Sequence, residues 1–322
     1  MGRFTPFLLA LLLSAAASAQ TLTPGDSSRS MVVGGLTRTY LVHVPPSYTG
    51  ATAVPLVVDI HGWTSNAEQQ RALSGYLALS DARGFIVVYP QGVGNAWNGG
   101  VCCTNTPTDI EFIRAMIANM HVEANIDAAR VYATGLSNGG AMSHRLACEA
   151  ADLFAAAAPL AFPISLNPPS SCNPSRKIPV LTTMGLTDML VPYNGGAWPS
   201  AAATFTHWRD TNACGAGTPE IHHVSGNSYC DYDTSCADGV QVGLCSVTAQ
   251  AFPGQFYDGH ILYLNPDYNF AVVTYDFMSQ FTLPPAAPQV PALPLAWVPV
   301  VAGLVLAAAG RRVDRRYSRR SR

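Results

Sequence analysis

Ser137 stands where a predicted strand meets a predicted helix, in the surroundings expected of a catalytic nucleophile. Residues 130–134 form a β-branched and aromatic run that predicts a buried strand, and residues 138–151 predict a helix. Gly135 and Gly139 flank Ser137 in a G-x-S-x-G pattern, whose small residues let strand and helix approach closely around a strained serine. Free N–H groups at the start of such a helix can hold a developing oxyanion. The pattern therefore predicts that the Ser137 hydroxyl attacks a carbonyl carbon.

A serine nucleophile needs a base, and the base needs an acid that orients it. Asp188 follows the predicted strand 178–184, and His260 lies in a polar loop between the last predicted strand and the closing helix. This order of serine, aspartate and histidine is that of α/β-hydrolases. Asp258 has the right chemistry for the acid, but it lies too close to His260 in sequence for the usual geometry. We therefore predict a triad of Ser137, Asp188 and His260.

An oxyanion hole needs two backbone N–H donors. Asn138 directly follows the nucleophile, and Trp63 lies in the loop after the predicted strand 55–60. The same loop carries His61, and a histidine in this position more often braces the loop than takes part in catalysis. Trp97 lies in a loop near the expected cleft and fits either a core position or a substrate platform. We predict oxyanion contacts from Trp63 and Asn138, and substrate contacts from His61 and Trp97.

The other histidines and the cysteines do not form a metal-binding pattern. His222 and His223 could be a pair of ligands, but without a third ligand a solvated strand fits them better. His144 lies on the helix after the nucleophile and is expected to pack in the core. The cysteines lack the C-x-x-C spacing of a zinc site. We expect no metal and no cofactor.

The eight cysteines predict four disulfides, which form in an oxidising compartment. We expect pairing inside each of two groups along the chain. Because a bridge between adjacent residues is sterically poor, Cys102 and Cys103 are each expected to bond with Cys148 or Cys172. The second group comprises Cys214, Cys230, Cys236 and Cys245.

Predicted strands and helices alternate along most of the chain. After an opening hairpin at 31–44, strands are predicted at 55–60, 85–89, 130–134, 154–161, 178–184 and 240–247. Helices are predicted from a capping box at Ser65 to residue 82, from a second capping box at Thr108, and at 138–151, 201–209 and 270–281. This alternation predicts an α/β-hydrolase-like α/β fold, with a mostly parallel sheet and helices on both faces.

The N-terminus has the pattern of a secretory signal peptide. Arg3 precedes an apolar stretch, and Ala17-Ser18-Ala19 is a small-x-small cleavage site. We therefore predict a signal peptide at 1–19 and a hydrolase domain at 20–283.

Three segments of different composition follow this domain. They are a proline-rich linker at 284–294, an uncharged apolar helix at 295–310 and an arginine-rich tail at 311–322. Together they resemble bacterial C-terminal sorting signals of the PEP-CTERM type, although the Pro-Glu-Pro motif itself is absent. A helix of this length rises about 24 Å, short of the roughly 30 Å hydrocarbon core. It is expected either to anchor the protein with the arginines in the cytoplasm or to be removed after sorting.

The charge of the domain differs from that of the whole chain. The formal net charge is -2. Without Arg3 and the tail, ten basic and nineteen acidic residues remain, so the folded part carries about nine negative charges. This balance argues against a nucleic-acid partner.

Several motifs of the domain match one family. The chain resembles the polyhydroxybutyrate depolymerase-like esterases, secreted α/β-hydrolases that also include feruloyl and acetylxylan esterases. The resemblance covers about residues 30–283 and implies that Ser137, Asp188 and His260 are nucleophile, acid and base. The motifs that carry it are Asp59-Ile60-His61-Gly62-Trp63, Tyr89-Pro90-Gln91-Gly92, Trp97-Asn98 with Cys102-Cys103, residues 126–140, and Asp188 with Val191-Pro192-Tyr193-Asn194-Gly195-Gly196.

Two departures from the family pattern concern the predicted acid and base. Met184-Gly185 stands where the family usually has His-Gly ahead of the acid. Ile261-Leu262-Tyr263-Leu264 stands where it usually has Thr-Trp-Pro-Gly after the histidine. The second change alters the wall of the cleft, so the substrate stays open.

The sequence as a whole predicts a secreted or periplasmic serine esterase, held at the membrane where the C-terminal helix is retained. Its substrate is expected to be a polyester oligomer or an ester of a cell-wall polysaccharide. The alternatives are a catalytically silent surface-binding protein on a hydrolase scaffold, against which the intact triad argues, and a peptidase, which no sequence feature supports.

Overall fold

A ten-stranded sheet forms the centre of the described structure. The computed structural model describes residues 22–104, 108–166, 171–217, 219–248 and 254–285. The predicted signal peptide, the apolar helix and the arginine tail lie outside these residues. Among the residues described, none of the helices is long and apolar enough to cross a membrane.

The central strands of the sheet are parallel and its edges are antiparallel. The spatial order is β1-β2-β4-β3-β5-β6-β7-β10-β9-β8. All neighbours from β4 to β10 in this order run parallel, and the remaining pairs run antiparallel. The strands are β1 Gly25–Val33, β2 Leu36–Val44, β3 Val54–Ile60, β4 Ile86–Pro90, β5 Ile126–Leu136, β6 Ala156–Leu160, β7 Val180–Gly185, β8 Glu220–Ser225, β9 Ser228–Asp233 and β10 Val242–Val247.

Helices cover both faces of this sheet, as predicted. They are α1 Ala67–Leu73, α2 Tyr76–Arg83, α3 Asp109–Glu123, α4 Asn138–Glu149, α5 Ala201–Thr211 and α6 Phe270–Met278. One buried cluster joins the sheet to α3, α4 and α5 through residues such as Phe112, Leu146 and Trp208. A second cluster joins the other face to α2 and α6 through residues such as Tyr76 and Phe270. The mostly parallel α/β fold is therefore confirmed.

The predicted helix up to residue 82 is divided into α1 and α2 at Ser74 and Gly75. Its N-cap is Asn66, whose side chain accepts a hydrogen bond from the Gln69 N–H. The predicted capping box at Ser65 is therefore wrong by one residue. An antiparallel hairpin of β8 and β9 extends the sheet beyond the predicted strands.

The cysteines pair inside their two groups, as expected, but one pairing differs from the prediction. The disulfides are Cys102–Cys103, Cys148–Cys172, Cys214–Cys236 and Cys230–Cys245. The prediction that Cys102 and Cys103 bond elsewhere is wrong. Cys148 at the end of α4 is bonded to Cys172, and the two adjacent cysteines are bonded to each other in a loop that folds back between Asn98 and Cys103.

One carboxyl group lies in the core beside the carboxyl end of β3. The Asp59 side chain is completely buried, and its Oδ1 accepts a hydrogen bond from Gln70 Nε2 at 2.5 Å. Its Oδ2 has no hydrogen-bond partner among the described residues. Burial disfavours the charged carboxylate and raises the pKa of Asp59 from 3.8 to about 7, although hydrogen bonds from Ser74 and Gln70 oppose the shift.

We predict that Asp59→Asn alters how stability depends on pH. Because the pKa of Asp59 is higher in the folded state, folding takes up a proton between about pH 4 and pH 7. The contribution of Asp59 to the free energy of unfolding is therefore fully present below about pH 4 and is lost progressively as the pH rises to about 7. The variant lacks this loss and should gain about 3 kcal/mol relative to the wild type between pH 5 and pH 8.

Urea unfolding of both proteins at pH 5 and pH 8 measures this difference. Asp276→Asn is the control, because the Asp276 side chain is half exposed in an ion pair with Arg83. An equal pH dependence of stability in wild type and Asp59→Asn would contradict the prediction.

Candidate active site

Ser137 occupies the tight turn between β5 and α4. Its backbone has φ 57° and ψ -120°, a conformation that non-glycine residues rarely adopt. Its N–H donates to the Leu160 carbonyl at 2.8 Å, which fixes the turn to the end of β6. A Cβ at Gly139 would overlap the carbonyl oxygen of Ile60, so only glycine lets the start of α4 meet β3. The G-x-S-x-G pattern thus produces the strained turn that the sequence predicts.

Asp188 and His260 meet although they lie far apart in the chain. His260 Nδ1 is 2.7 Å from Asp188 Oδ2, and both side chains are buried. Asp188 Oδ1 accepts hydrogen bonds from the N–H groups of Leu190 and Val191 at 2.9 and 2.8 Å. The carboxylate is therefore held at one oxygen by the backbone and presents the other to the imidazole.

The loops that carry this pair touch through their backbones. A Cβ at Gly185 would overlap the carbonyl oxygen of Gly259, the residue before His260. The glycine of Met184-Gly185 is therefore required by the geometry, whereas Met184 is a buried core residue. Asp258 is also buried, and its Oδ1 accepts a hydrogen bond from the Gly259 N–H at 3.1 Å. The partner of His260 Nδ1 is Asp188, the acid that the sequence favours over Asp258.

Ser137 lies on the same edge of the sheet as this pair. β5, β6 and β7 are parallel neighbours, so Ser137 and Asp188 both follow the carboxyl ends of their strands. Among the described residues, the Ser137 hydroxyl forms no hydrogen bond with the His260 imidazole. Catalytic hydrogen bonds are often long without substrate and shorten in the reactive complex.

The loop after β3 lies directly beside Ser137. A Cβ at Gly62 would lie 3.4 Å from the Ser137 Cβ and 3.3 Å from the Leu136 carbonyl oxygen. The backbone N–H groups of Trp63 and Asn138 have no partner in the described parts of the chain. The two predicted oxyanion donors thus lie on segments that flank the nucleophile. The Trp63 side chain is 60% exposed, which sequence reasoning did not predict.

The Asn138 side chain fastens a neighbouring loop to the start of α4. Its Oδ1 accepts a hydrogen bond from the Trp97 N–H at 2.7 Å, and its Nδ2 donates to the Trp97 carbonyl at 2.9 Å. Nδ2 also lies 3.9 Å from Cys102 Sγ. The loop that contains the Cys102–Cys103 pair is therefore tied to the residue after the nucleophile.

His61 and Trp97 do not line an open site. Both side chains are completely buried, and Trp97 Nε1 donates to the His61 carbonyl at 3.0 Å. His61 Nδ1 lies 2.7 Å from the Gly62 carbonyl oxygen, and Nε2 accepts a hydrogen bond from the Gly92 N–H at 3.0 Å. Burial lowers the pKa of His61 to about 4, so the imidazole is neutral and Nδ1 is the donor. The predicted substrate contacts of both residues do not fit this burial, because both side chains brace the oxyanion loop.

The remaining candidates for metal ligands have other partners. His144 is buried on α4, where its Nδ1 accepts a hydrogen bond from Trp208 Nε1 at 3.0 Å, as expected of a packing residue. Cys214, Asp233 and Cys236 lie close enough to surround an ion. However, the two cysteines form a disulfide, and Asp233 forms an ion pair with Arg209 at 2.6 Å. This cluster is therefore a structural crosslink.

Several large apolar side chains are exposed on the loops at this edge of the sheet. They follow β3, β7 and β10, the strands that precede the predicted oxyanion loop, the predicted acid and the predicted base. Sequence reasoning did not identify them as a group, because they come from loops that lie far apart in the chain. They are Trp63, Met189, Phe256, Tyr257 and Leu264, each at least 40% exposed.

Known proteins with similar sequences are esterases. Residues 38–162 match the family model described as Esterase PHB depolymerase. The chain is 34% identical over 265 residues to Feruloyl esterase B of Piromyces equi, covering 77% of this chain and 46% of that protein. It is 41% identical over 129 residues to Poly(3-hydroxyalkanoate) depolymerase C of Paucimonas lemoignei, covering 37% of this chain and 30% of that protein. The chain thus spans about half or less of the length of these relatives.

Solved structures confirm the fold. The acetyl xylan esterase from Aspergillus awamori superposes with a TM-score of 0.59 at 16% sequence identity, covering 79% of this chain and 99% of that one. At this identity the similarity concerns the fold alone. The sequence matches and the observed α/β-hydrolase fold agree with the motifs and support the similarity of this chain to PHB depolymerase-like esterases.

Proposed function

We propose that the protein hydrolyses carboxylic esters through Ser137, Asp188 and His260. The observation that carries this proposal is the 2.7 Å contact between His260 Nδ1 and the Asp188 carboxylate, on the edge of the sheet where Ser137 occupies a strained turn. The relatives named as esterases support the enzyme class, and this geometry supports the assignment of the residues.

The reaction proceeds in two steps on these residues. His260 Nε2 takes the Ser137 proton as Oγ attacks the ester carbonyl carbon, and Asp188 stabilises the imidazolium. The N–H groups of Trp63 and Asn138 hold the oxyanion of the tetrahedral intermediate. His260 then gives the proton to the leaving alcohol. In the second step water, deprotonated by His260, attacks the acyl-enzyme, and Ser137 is regenerated.

The substrate in this proposal is a polyester or an ester of a plant cell-wall polysaccharide. Relatives are named as a feruloyl esterase and a poly(3-hydroxyalkanoate) depolymerase, and a similar structure as an acetyl xylan esterase. The exposed Trp63, Met189, Phe256, Tyr257 and Leu264 favour an apolar or aromatic group next to the scissile bond over a bare acetyl group.

The proposed site of action is outside the cytoplasm. The four disulfides of the structure support export, because such bonds persist in oxidising compartments. The sequence of the C-terminal segment further supports transient membrane association, which ends when the segment is removed near residues 291–295. The domain itself closes before the segment, since the Leu283 N–H donates to the Ala129 carbonyl at 2.8 Å.

Ser137→Ala should lower ester hydrolysis by roughly 10³-fold or more, because no other group replaces the nucleophile. Ser143→Ala is the matched control: it removes a buried hydroxyl on the same helix, which donates to the Gly139 carbonyl at 2.8 Å, and should retain activity. The assay uses p-nitrophenyl esters of increasing acyl length, methyl ferulate, hydroxybutyrate oligomers and acetylated xylan.

Near-normal turnover by folded Ser137→Ala would rule out the mechanism. Lack of hydrolysis of any of these esters by the wild type would instead favour a silent binding protein.

Asp188→Asn should lower kcat by about 10³ to 10⁴, because an amide favours the wrong histidine tautomer and cannot stabilise the imidazolium. Asp258→Asn is the comparison, and it should change kcat less than tenfold, because Asp188 occupies Nδ1 of His260. Steady-state kinetics of both variants decide between the two acids. A larger loss in Asp258→Asn would reverse the assignment.

The full-length precursor should associate with the inner membrane, and a protein ending at Leu283 should be soluble and active. Both follow from the uncharged segment 295–310, which precedes the arginine tail, and from a triad that lies entirely before it. Mass spectrometry of the mature protein from its native host locates the terminus. A retained Arg322 would contradict removal.

A further inference from the structure

We infer that Gln70 and Tyr263 are positioning residues for His260, since one amide group joins the His260 loop to the strand that leads into the oxyanion loop. The inference rests on the proposed triad. Neither residue belongs to the triad, to the oxyanion donors or to the motifs by which the chain resembles its family. Tyr263 even lies in the segment where the chain departs from that family.

Tyr263 ties the segment after His260 to the body of the protein. It lies in a short 3-10 turn, Leu262–Leu264, beginning two residues after His260. Leu262 is buried against the core, and the Tyr263 ring lies 5.3 Å from the Phe270 ring at the start of α6. Its hydroxyl accepts a hydrogen bond from Gln70 Nε2 at 2.5 Å.

Gln70 uses both of its amide hydrogens. Its side chain is buried on α1, and Nε2 donates to Asp59 Oδ1 at 2.5 Å as well as to the Tyr263 hydroxyl. A primary amide carries two N–H donors, so the two bonds form together. Gln70 thus bridges a residue of β3 and a residue of the His260 loop, which are more than 200 positions apart in sequence.

The bridge reaches the other half of the site through β3. Asp59 is followed by Ile60, where β3 ends, and then by the loop that carries Gly62 beside Ser137 and the N–H of Trp63. On its other side, the His260 loop is held by the hydrogen bond to Asp188. The segment 260–263 is therefore held at His260 by the bond to Asp188, and at Tyr263 by the bond to Gln70, which also binds Asp59 of β3.

If the Gln70–Tyr263 hydrogen bond served stability alone, its loss would not change the rate of ester hydrolysis by the folded protein. The cluster does satisfy buried polar groups: Gln70 is a donor to a buried carboxyl group, and the Tyr76 and Tyr89 hydroxyls also lie near Asp59. A positioning role requires more, namely that loss of the bond displaces the imidazole from Ser137. Displacements of about 1 Å in an active site typically lower the rate about 10²-fold.

The experiment removes one hydroxyl at a time and compares kcat, KM and thermal stability in the full chain. Tyr263→Phe deletes the acceptor of the Gln70 amide and keeps the ring against Phe270. Tyr132→Phe is the matched control, because its hydroxyl donates to the Phe281 carbonyl at 3.0 Å, away from the catalytic loops. We expect Tyr263→Phe to lower kcat by roughly tenfold with KM within about twofold, and Tyr132→Phe to leave kcat unchanged at a similar Tm loss.

Gln70→Met provides a second variant that keeps the length of the side chain and lacks both donors. Combined with Tyr263→Phe, it should lower kcat by less than the product of the single effects, because both changes break one interaction. The rate at which a fluorophosphonate labels Ser137 should fall in parallel, since labelling also needs a correctly placed His260.

The outcomes separate this inference from the proposed function. A wild-type activity that is lost in Ser137→Ala, together with an unchanged kcat in Tyr263→Phe, overturns the positioning role alone. An equal loss of kcat in Tyr132→Phe, or a change confined to KM, also overturns it. Activity that survives in Ser137→Ala overturns the proposed function itself.

Discussion

The catalytic edge of this sheet depends on backbone segments that approach each other too closely for any side chain to lie between them. At Gly139 the first turn of the helix after Ser137 rests on the carbonyl oxygen that ends β3, and at Gly185 the end of β7 rests on the loop before His260. The first contact places Ser137, the proposed nucleophile, beside the loop after β3. The second places the loop of Asp188, the proposed acid, beside the loop of His260, the proposed base. The relative positions of Ser137, Asp188 and His260 are thus fixed mainly by contacts of the main chain.

Buried polar groups behind this edge then hold the loops without adding charge. His61 is neutral because burial lowers its pKa to about 4. Its imidazole therefore has one donor, which bonds to the Gly62 carbonyl, and one acceptor, which takes a hydrogen bond from the Gly92 N–H. The raised pKa of Asp59 keeps that carboxyl group largely protonated in acid solution, beside the amide of Gln70. Neutral hydrogen-bonded groups fix direction at little desolvation cost, whereas a charge at either place would have to be matched by a buried counter-charge.

The fold class and the arrangement around Ser137, Asp188 and His260 could be predicted because each depends on local pattern. The strand, the flanking glycines and the helix after Ser137 are adjacent in sequence, and chain order alone places acid and base after later strands. The errors about the site and the disulfide pairing concern contacts between distant segments. Nothing near Trp97 in the sequence shows that its indole is buried against His61, and no spacing rule shows that Cys148 bonds with Cys172 and so leaves Cys102 and Cys103 to each other.

Trp63 shows why the sequence indicates the type of reaction more clearly than it indicates the substrate. The proposed reaction uses its backbone N–H, which any residue at that position would supply, so the proposed chemistry follows from loop length and strand order. The proposed substrate contacts instead involve its side chain, which is 60% exposed, along with exposed apolar side chains from loops after other strands. Each of these loops is free to vary, because none of the backbone contacts at Gly139 or Gly185 depends on its outward side chains. A family built on this edge can therefore keep one mechanism while its members act on chemically different esters, and the exposed Leu264 in the changed segment 261–264 is a variation of this kind.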